Sequence, residues 1–104
     1  MEAEMYPKSM SIVISGKRYK TDSACLIASD AYWDGRNWER HGRNTFLFKT
    51  LKGNFFVQYQ SKRRGEHDHI KPVNVDEAVQ FYEQLPKKEV AFDVAFPGVH
   101  VEDA

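Results

Sequence analysis

One short segment, Glu66–His69 (EHDH), combines the residue types that bind divalent metal ions. Two imidazoles two residues apart, with carboxylates beside them and His41 as a further ligand, suit zinc or manganese chemistry. A metal-dependent enzyme would use His67 and His69 in this way. Metal sites need ligands that supporting groups hold in a fixed geometry. The segment follows Gly65 in a charged stretch without apolar residues, which favours a solvated loop and makes both histidines weak metal candidates.

No set of residues for nucleophilic catalysis is evident. Cys25 is the one cysteine, so the chain has neither an intramolecular disulfide nor a cysteine-based zinc site. It lies within the first predicted helix, where a free cysteine usually behaves as a small buried side chain. The six glycines are dispersed and form no phosphate-binding motif. We therefore expect no enzymatic activity, no catalytic residue and no cofactor.

The distribution of charge points more clearly to a function. The 104 residues carry 15 basic and 15 acidic side chains, so the formal net charge is zero. Residues 36–71 hold nine basic and three acidic side chains, a local charge of +6, whereas the first 35 residues carry −1. Residues 72–104, with two basic and seven acidic side chains, carry −5. A chain polarised in this way presents surfaces that attract charged partners.

Two basic clusters and two tryptophans are the predicted binding residues. The clusters lie on either side of a predicted hairpin, and the tryptophans lie in the polar connection before it. The full set is Trp33, Arg36, Trp38, Arg40, Arg43, Lys62, Arg63 and Arg64. Arginine beside aromatic rings is typical of nucleic-acid surfaces, where phosphates meet cations and bases stack on rings. It is also typical of protein hot spots, so the composition leaves both partner classes open.

The elements that must position these residues begin with a lead-in and a hairpin. Residues 1–9, interrupted by a proline, predict a flexible lead-in. The next apolar strand runs into Gly16-Lys17, which predicts a type II′ turn with Ile14 opposite Tyr19. Capping side chains and apolar residues at helical spacing then predict a helix over residues 22–32.

The second predicted hairpin, residues 44–61, supplies most of the core. Its turn is predicted at Lys52-Gly53 or at Gly53-Asn54, and both registers give the same faces. The predicted core face holds Phe46, Phe48, Phe55, Val57 and Tyr59. The opposite face holds Leu47, Lys49, Phe56 and Gln58. Because Leu47 and Phe56 would also need cover, a homodimer would supply it.

The remaining segments complete the predicted domain. Pro72 restricts residues 70–73 to an edge strand. Asn74, with Glu77 three residues later, is typical of a capping box, and the helix that follows ends at Pro86. Residues 90–96 are predicted as a further strand and residues 102–104 as a frayed tail. The order predicts one α+β domain, residues 10–101: a small antiparallel sheet built from two β-hairpins, with two helices packed on one face.

Three motifs resemble those of a group of small proteins carried by bacterial and archaeal genomes, phages and mobile elements. The motifs are residues 16–24 (GKRYKTDSA), residues 45–56 (TFLFKTLKGNFF) and residues 70–78 (IKPVNVDEA). The chain departs from the group's opening motif at Lys20, where an acid or an amide is usual. Some small phage proteins of this kind are inhibitors of host defence, anti-CRISPR proteins among them. The resemblance implies an accessory binding protein and no catalytic residues.

Three functions follow as expectations. The first is a small non-enzymatic protein that masks a host complex handling nucleic acid, plausibly a CRISPR-associated one, in the manner of a phage or mobile-element inhibitor. The second is direct nucleic-acid binding through the basic residues 36–71. The third is the metal-dependent enzyme that would use His67 and His69. The sequence shows no membrane span and no secretory signal, so we expect a cytoplasmic protein without a membrane partner.

Overall fold

The computed structural model describes residues 7–31, 43–61 and 64–104. The strands in this part are β1 (Ser11–Ile14), β2 (Lys17–Lys20), β3 (Cys25–Ser29), β4 (Arg43–Lys49), β5 (Phe55–Ser61), β6 (His69–Val73) and β7 (Lys87–Lys88). The helices are α1 (Val75–Gln84), between β6 and β7, and α2 (Phe92–Ala95). The expected class, α+β with antiparallel strands, is confirmed.

Five strands form the main sheet, in the order β6-β5-β4-β3-β7, and every described pairing in it is antiparallel. The expected edge position of β6 is confirmed, and it agrees with Pro72, which has no N–H to donate to a further strand. β1 and β2 form a separate two-stranded sheet. The two hairpins therefore do not share one sheet, which corrects that part of the expected architecture.

The β4–β5 turn contains three residues, Leu51, Lys52 and Gly53, and not the two that the sequence suggested. Gly53 N–H donates to Thr50 O at 2.9 Å, and Thr50 N–H donates to Asn54 O at 2.7 Å. Gly53 has a φ of 89°, the left-handed conformation that closes a three-residue hairpin loop. The turn is therefore one residue longer than predicted.

This longer turn shifts the register by one residue and exchanges the faces of the hairpin. Phe48 pairs with Phe56, and Leu47 pairs with Val57. The predicted division of faces is therefore wrong. One face holds Phe46, Phe48, Phe56 and Gln58, and the other holds Leu47, Phe55, Val57 and Tyr59.

Both faces of the main sheet are buried, each beneath a different layer. The helix-side core contains Ile27, Ala28, Leu47, Phe55, Val57, Ala78, Tyr82, Leu85, Ala95 and Phe96. The hairpin-side core contains Tyr19, Ala31, Phe46, Phe48, Phe56 and Ile70. The ring of Phe55 stacks on Phe96 at 5.1 Å, whereas the ring of Phe56 meets Tyr19 edge-on at 5.7 Å. Adjacent phenylalanines thus belong to opposite cores.

The predicted helix over residues 22–32 is wrong, because Cys25–Ser29 is a strand between β4 and β7. A short apolar run such as CLIAS fits a doubly buried strand as well as a buried helix, and periodicity alone does not separate them. The register shifts between Leu26 and Ala28, a bulge at Ile27. Leu26 therefore packs in the hairpin-side core, and the next two residues pack in the helix-side core.

The predicted capping box of α1 is confirmed. Asn74 Oδ1 accepts the backbone N–H of Glu77 at 2.8 Å, and Glu77 Oε1 accepts the backbone N–H of Asn74 at 2.9 Å. The helix ends at Gln84, two residues before Pro86. This helix could be predicted because the signals for its start and stop are local.

The predicted strand over residues 90–96 is wrong, because this segment contains α2 and the last strand is β7. The ring centroids of Phe92 and Phe96 lie 5.0 Å apart, and both rings pack edge-on against Tyr82. A strand would separate the Cα atoms of two residues four apart by about 13 Å. The helical turn therefore places both rings in one core. Lys49 Nζ donates to Ala95 O at 2.9 Å and satisfies a carbonyl at the end of α2.

The first hairpin is confirmed, with its turn one residue earlier, at Ser15-Gly16. Both turn residues have positive φ, 53° and 77°, which is the type I′ pattern and not the predicted type II′. Ile12 therefore pairs with Tyr19, where Ile14 was predicted. The register differs by two residues, so the predicted inner face is retained and Ile14 and Tyr19 both pack on the sheet.

Gly53→Ala is expected to lower the free energy of unfolding by about 1–2 kcal/mol, because a left-handed φ strains an L side chain. An added Cβ would meet no atom within 4 Å, so the loss is conformational and not steric. Gly53→Asn should recover part of it, since Asn adopts this conformation more readily. Lys52→Ala in the same turn is the matched control, and denaturant unfolding measures all three variants. Equal stability of Gly53→Ala and the control would contradict this turn.

Candidate binding surfaces

Most of the predicted binding residues lie outside the described part of the chain. These are Trp33, Arg36, Trp38, Arg40, Lys62 and Arg63. His41 lies outside it as well. Arg43 and Arg64 are described, and both are exposed. Arg64 lies in a turn with Gly65, whose φ is 84°.

Arg43 is held by an ion pair at the start of β4. Its Nε donates to Glu66 Oε1 at 3.0 Å, and its Nη2 donates to Glu66 Oε2. The hydrogen bond and the charge of Glu66 raise the pKa of Arg43. Ser61 Oγ also donates to Glu66 Oε1. The Glu66 carboxylate, in the loop before β6, therefore binds one residue of β4 and one residue of β5. It also offsets part of the positive charge at this end of the sheet.

Side chains of the segment Glu66–His69 contact other residues of the protein. Asp68 Oδ1 accepts Ser61 N–H at 2.8 Å, and Asp68 Oδ2 accepts Lys8 Nζ at 2.7 Å. The ring of His69 stacks on Tyr59 at 4.9 Å, and its Nδ1 lies 3.1 Å from the carbonyl oxygen of His67. Among the described residues, no group of three His, Cys, Asp or Glu lies close enough to hold a metal ion. In the described part of this segment, the side chains of Asp68 and His69 are therefore engaged by other groups of the protein.

An open depression of about 610 Å³ lies at this end of the sheet. Its lining residues are Arg43, Asn44, Thr45, Tyr59, Gln60, Ser61, Glu66, His67 and His69. Thr45, Tyr59 and His69 form one row across β4, β5 and β6, because Tyr59 is the Cα partner of both others. Burial raises the pKa of the Tyr59 hydroxyl. This surface combines a half-buried ring with one cation and its counter-ion.

A second depression, which we call the cationic groove, lies between the β1–β2 turn and the β4–β5 turn. It has a volume of about 420 Å³. Its lining residues are Gly16, Lys17, Arg18, Tyr19, Lys20, Ser23, Thr50, Leu51, Lys52 and Asn54. Four of these are cations, and none is acidic. The groove therefore concentrates positive charge in one place.

The charge polarity of the sequence becomes a polarity between opposite faces of the sheet. The hairpin layer, residues 7–21, carries four basic and no acidic side chains. The helix layer, residues 74–96, carries five acidic and two basic side chains. These layers cover the hairpin-side and helix-side cores respectively. The two sides of the main sheet thus present opposite charge.

Sequence reasoning missed the cationic groove because its walls are far apart in the chain. The hairpin supplies Lys17, Arg18 and Lys20, whereas Lys52 comes from a turn about thirty residues later. The available signal was that both segments contain a glycine turn next to lysine. The two segments form one groove only because the first hairpin packs on the face of the main sheet.

In comparisons with known proteins, no family model, no curated protein and no solved structure matches the chain. The resemblance to phage-associated proteins therefore stays a prediction. None of the described helices is long and apolar enough to cross a membrane. Leu47 and Phe56 are both fully buried by other parts of the chain, so the argument that a homodimer must cover them no longer applies.

Asp68→Asn is expected to reduce stability at pH 7 by up to about 1 kcal/mol, with the difference narrowing as the pH falls below about 4. Burial alone would raise the pKa of Asp68, but its bonds with Lys8 and Ser61 outweigh burial and lower it. A lowered folded-state pKa gives stability above the unfolded-state value, which is lost as pH falls through the folded-state value. Unfolding at several pH values measures this.

Lys8→Met tests the same interaction from the other partner. In the Lys8→Met background, the stability lost on Asp68→Asn should depend much less on pH, because Lys8 Nζ bonds directly to Asp68. The double variant should then cost less than the sum of the single variants. A loss from Asp68→Asn that is equal at pH 3 and pH 7 would show that the carboxylate charge does not contribute.

Proposed function

We propose that this chain is a non-enzymatic binding protein that masks a host complex handling nucleic acid, as a phage or mobile-element inhibitor does. One observation carries the proposal: the two layers on opposite faces of the main sheet have opposite charge. A complex that handles nucleic acid presents cationic channels to phosphates. An acidic surface of a small protein is attracted to the same channels and competes for them.

The helix layer offers carboxylates that are exposed to solvent. Asp76 and Glu83 lie on α1 and Asp93 lies on α2, and all three are exposed. Two other carboxylates already have partners within the protein. Glu77 Oε1 accepts a hydrogen bond in the capping box, and Glu89 Oε2 lies 3.4 Å from Lys87 Nζ in an ion pair. The opposite face of α1 is fixed in the core through Ala78 and Tyr82. The exposed carboxylates therefore stand on a firmly packed support.

A CRISPR-associated partner is the specific form of this proposal, and it comes from the resemblance of the three sequence motifs. In this form the acidic layer occupies the nucleic-acid channel, and Trp33 and Trp38 contact protein nearby. A tryptophan in a polar connection is a frequent hot-spot residue. The proposed partner is a protein complex of the host, and the proposed site of action is the cytoplasm.

Direct nucleic-acid binding through residues 36–71 is a second candidate, and one contact favours it. Arg43, from the first basic cluster, bonds to Glu66, two residues after Arg64 of the second. The side chain of Arg43 is therefore bound to the loop that follows the second cluster. Glu66 also offsets the charge of Arg43, and for this reason we rank this function below the masking function.

The test is inhibition of purified nucleic-acid-handling complexes, CRISPR effectors among them, measured as loss of their binding to a labelled target. Neutralising the helix layer with Glu83→Gln and Asp93→Asn should weaken inhibition about tenfold, because it removes two of the charges that compete with phosphates. The matched control, Glu102→Gln with Asp103→Asn, makes the same change in net charge beyond α2. It should retain inhibition.

Two results would overturn the masking function. One is the absence of any effect on target binding across the complexes. The other is inhibition that survives equally in the helix-layer variant, which would place the contact elsewhere. Inhibition that both double variants weaken equally would reduce the effect to net charge and contradict a specific role for α1 and α2.

A further inference from the structure

We propose that the cationic groove binds the phosphate backbone of nucleic acid without reading its base sequence. This inference goes beyond the masking function and does not rest on it, because the groove and the helix layer lie on opposite sides of the main sheet. It also differs from the basic clusters at residues 36–71, since three of its four cations come from β2.

The walls of the groove are fixed before any ligand arrives. Tyr19 anchors the hairpin wall, because its buried ring packs edge-on against Phe56. At the base of the hairpin, Thr21 N–H donates to Met10 O at 3.0 Å, and Met10 N–H donates to Thr21 Oγ1 at 2.9 Å. These bonds join the two ends of the hairpin. A preformed wall costs little further ordering on binding.

The opposite wall is equally constrained. Asn54 N–H donates to Thr50 Oγ1 at 3.0 Å, and Asn54 O accepts the N–H of Thr50. Gly53 N–H completes the turn on Thr50 O. The turn that carries Lys52 is thus closed by hydrogen bonds at both of its ends. β2 and the β4–β5 turn therefore hold the four cations on a defined groove and not on freely moving loops.

The positive charge of the groove is not offset by the described part of the chain. No described carboxylate lies within ion-pair distance of Lys17, Arg18, Lys20 or Lys52. Arg43, by contrast, is paired with Glu66 at the other end of the sheet. Exposed like charges close together repel one another, and a polyanion relieves that repulsion while releasing its own counterions. An anionic ligand with several closely spaced charges fits best.

The groove offers cations and small polar groups to phosphates and no exposed aromatic face to bases. Ser23, Thr50 and Asn54 add hydroxyl and amide groups between the cations. The aromatic ring in the lining is Tyr19, which is only 6% exposed, so its face is not available for stacking on a base. Sequence preference arises from base-edge contacts or stacking, whereas phosphate contacts are independent of sequence. We therefore expect sequence-independent binding.

The lining also favours nucleic acid over an acidic protein. Protein hot spots are formed by aromatic or apolar anchors that enter desolvated pockets. The apolar group within reach is Leu51, which is 90% exposed at the rim of the groove and forms no pocket. Regularly spaced phosphates can contact successive cations without an apolar anchor. Charge complementarity therefore favours a nucleic-acid backbone.

Fluorescence anisotropy with labelled single strands and duplexes of about 20 nucleotides tests the inference across about 50–200 mM salt. Lys20→Gln with Lys52→Gln removes one cation from each wall. Lys87→Gln with Lys88→Gln is the matched control, because it removes the same charge from exposed positions outside both the groove lining and the basic residues 36–71. Thermal melting verifies that both double variants fold.

The groove variant should bind about tenfold more weakly at low salt, whereas the control should remain within about twofold of the unmodified chain. On single strands, losing two phosphate contacts should flatten the plot of log affinity against log salt by about 1.4 in slope. Oligonucleotides of different sequence should bind alike. These results together would support a phosphate-backbone site.

Several results would overturn it. Failure of the unmodified chain to bind either oligonucleotide at low salt would show that the groove is not a nucleic-acid site. An equal loss in both double variants reduces binding to net charge, and unchanged binding by the groove variant places the nucleic-acid site elsewhere on the chain. Tighter binding of polyglutamate than of the oligonucleotides assigns the groove to an acidic protein. The inhibition assay on the helix-layer variant is separate, so either proposal can fail alone.

Discussion

The register of the β4–β5 hairpin is the constraint on which the rest of the structure depends. The three-residue turn ending at Gly53 pairs Phe48 with Phe56 and Leu47 with Val57. A slip of one residue would send every side chain of a strand to the opposite face. The left-handed turn residue contributes roughly 1–2 kcal/mol to this register. Each phenylalanine that packs in its own core contributes about 1.5–3 kcal/mol to the stability of the fold. Turn and burial select the same register.

The register has a direct consequence for the surface of the molecule. It makes the main sheet apolar on both faces, so two layers are needed, and the chain supplies a hairpin for one and helices for the other. These layers come from segments of opposite charge. The proposed acidic masking surface and the proposed cationic groove are therefore products of one sheet with two covered faces. Each surface stands on a packed core, which keeps its charges in place.

Local signals predicted the elements that local interactions determine. The capping box at Asn74 and the stop at Pro86 identify α1. The Gly16-Lys17 signal identifies the first hairpin but places its turn one residue too late. β3 was predicted as a helix because its apolar run has no distinctive period, and the long-range pairing that makes it a strand is not visible in its own residues. The β4–β5 faces were wrong because one residue of turn length changes them all.

The candidate sites follow the same division. The charge polarity could be read from composition, but the groove could not, because Lys52 and the residues of β2 meet only in the folded chain. The sequence also predicted arginines as binding residues without showing that Glu66 engages Arg43. Contacts between distant segments thus determine which cations are free to bind a partner and which of them line the same groove.

Nuclear Overhauser contacts between assigned aromatic rings test this account most directly. The account predicts that Phe55 shows contacts to Phe96 and that Phe56 shows contacts to Tyr19, since these ring centroids lie 5.1 and 5.7 Å apart on opposite faces of the sheet. Contacts from Phe55 to Tyr19, or from Phe56 to Phe96, would contradict it. They would show that the register of β5 is shifted and that Phe55 and Phe56 pack in the opposite cores.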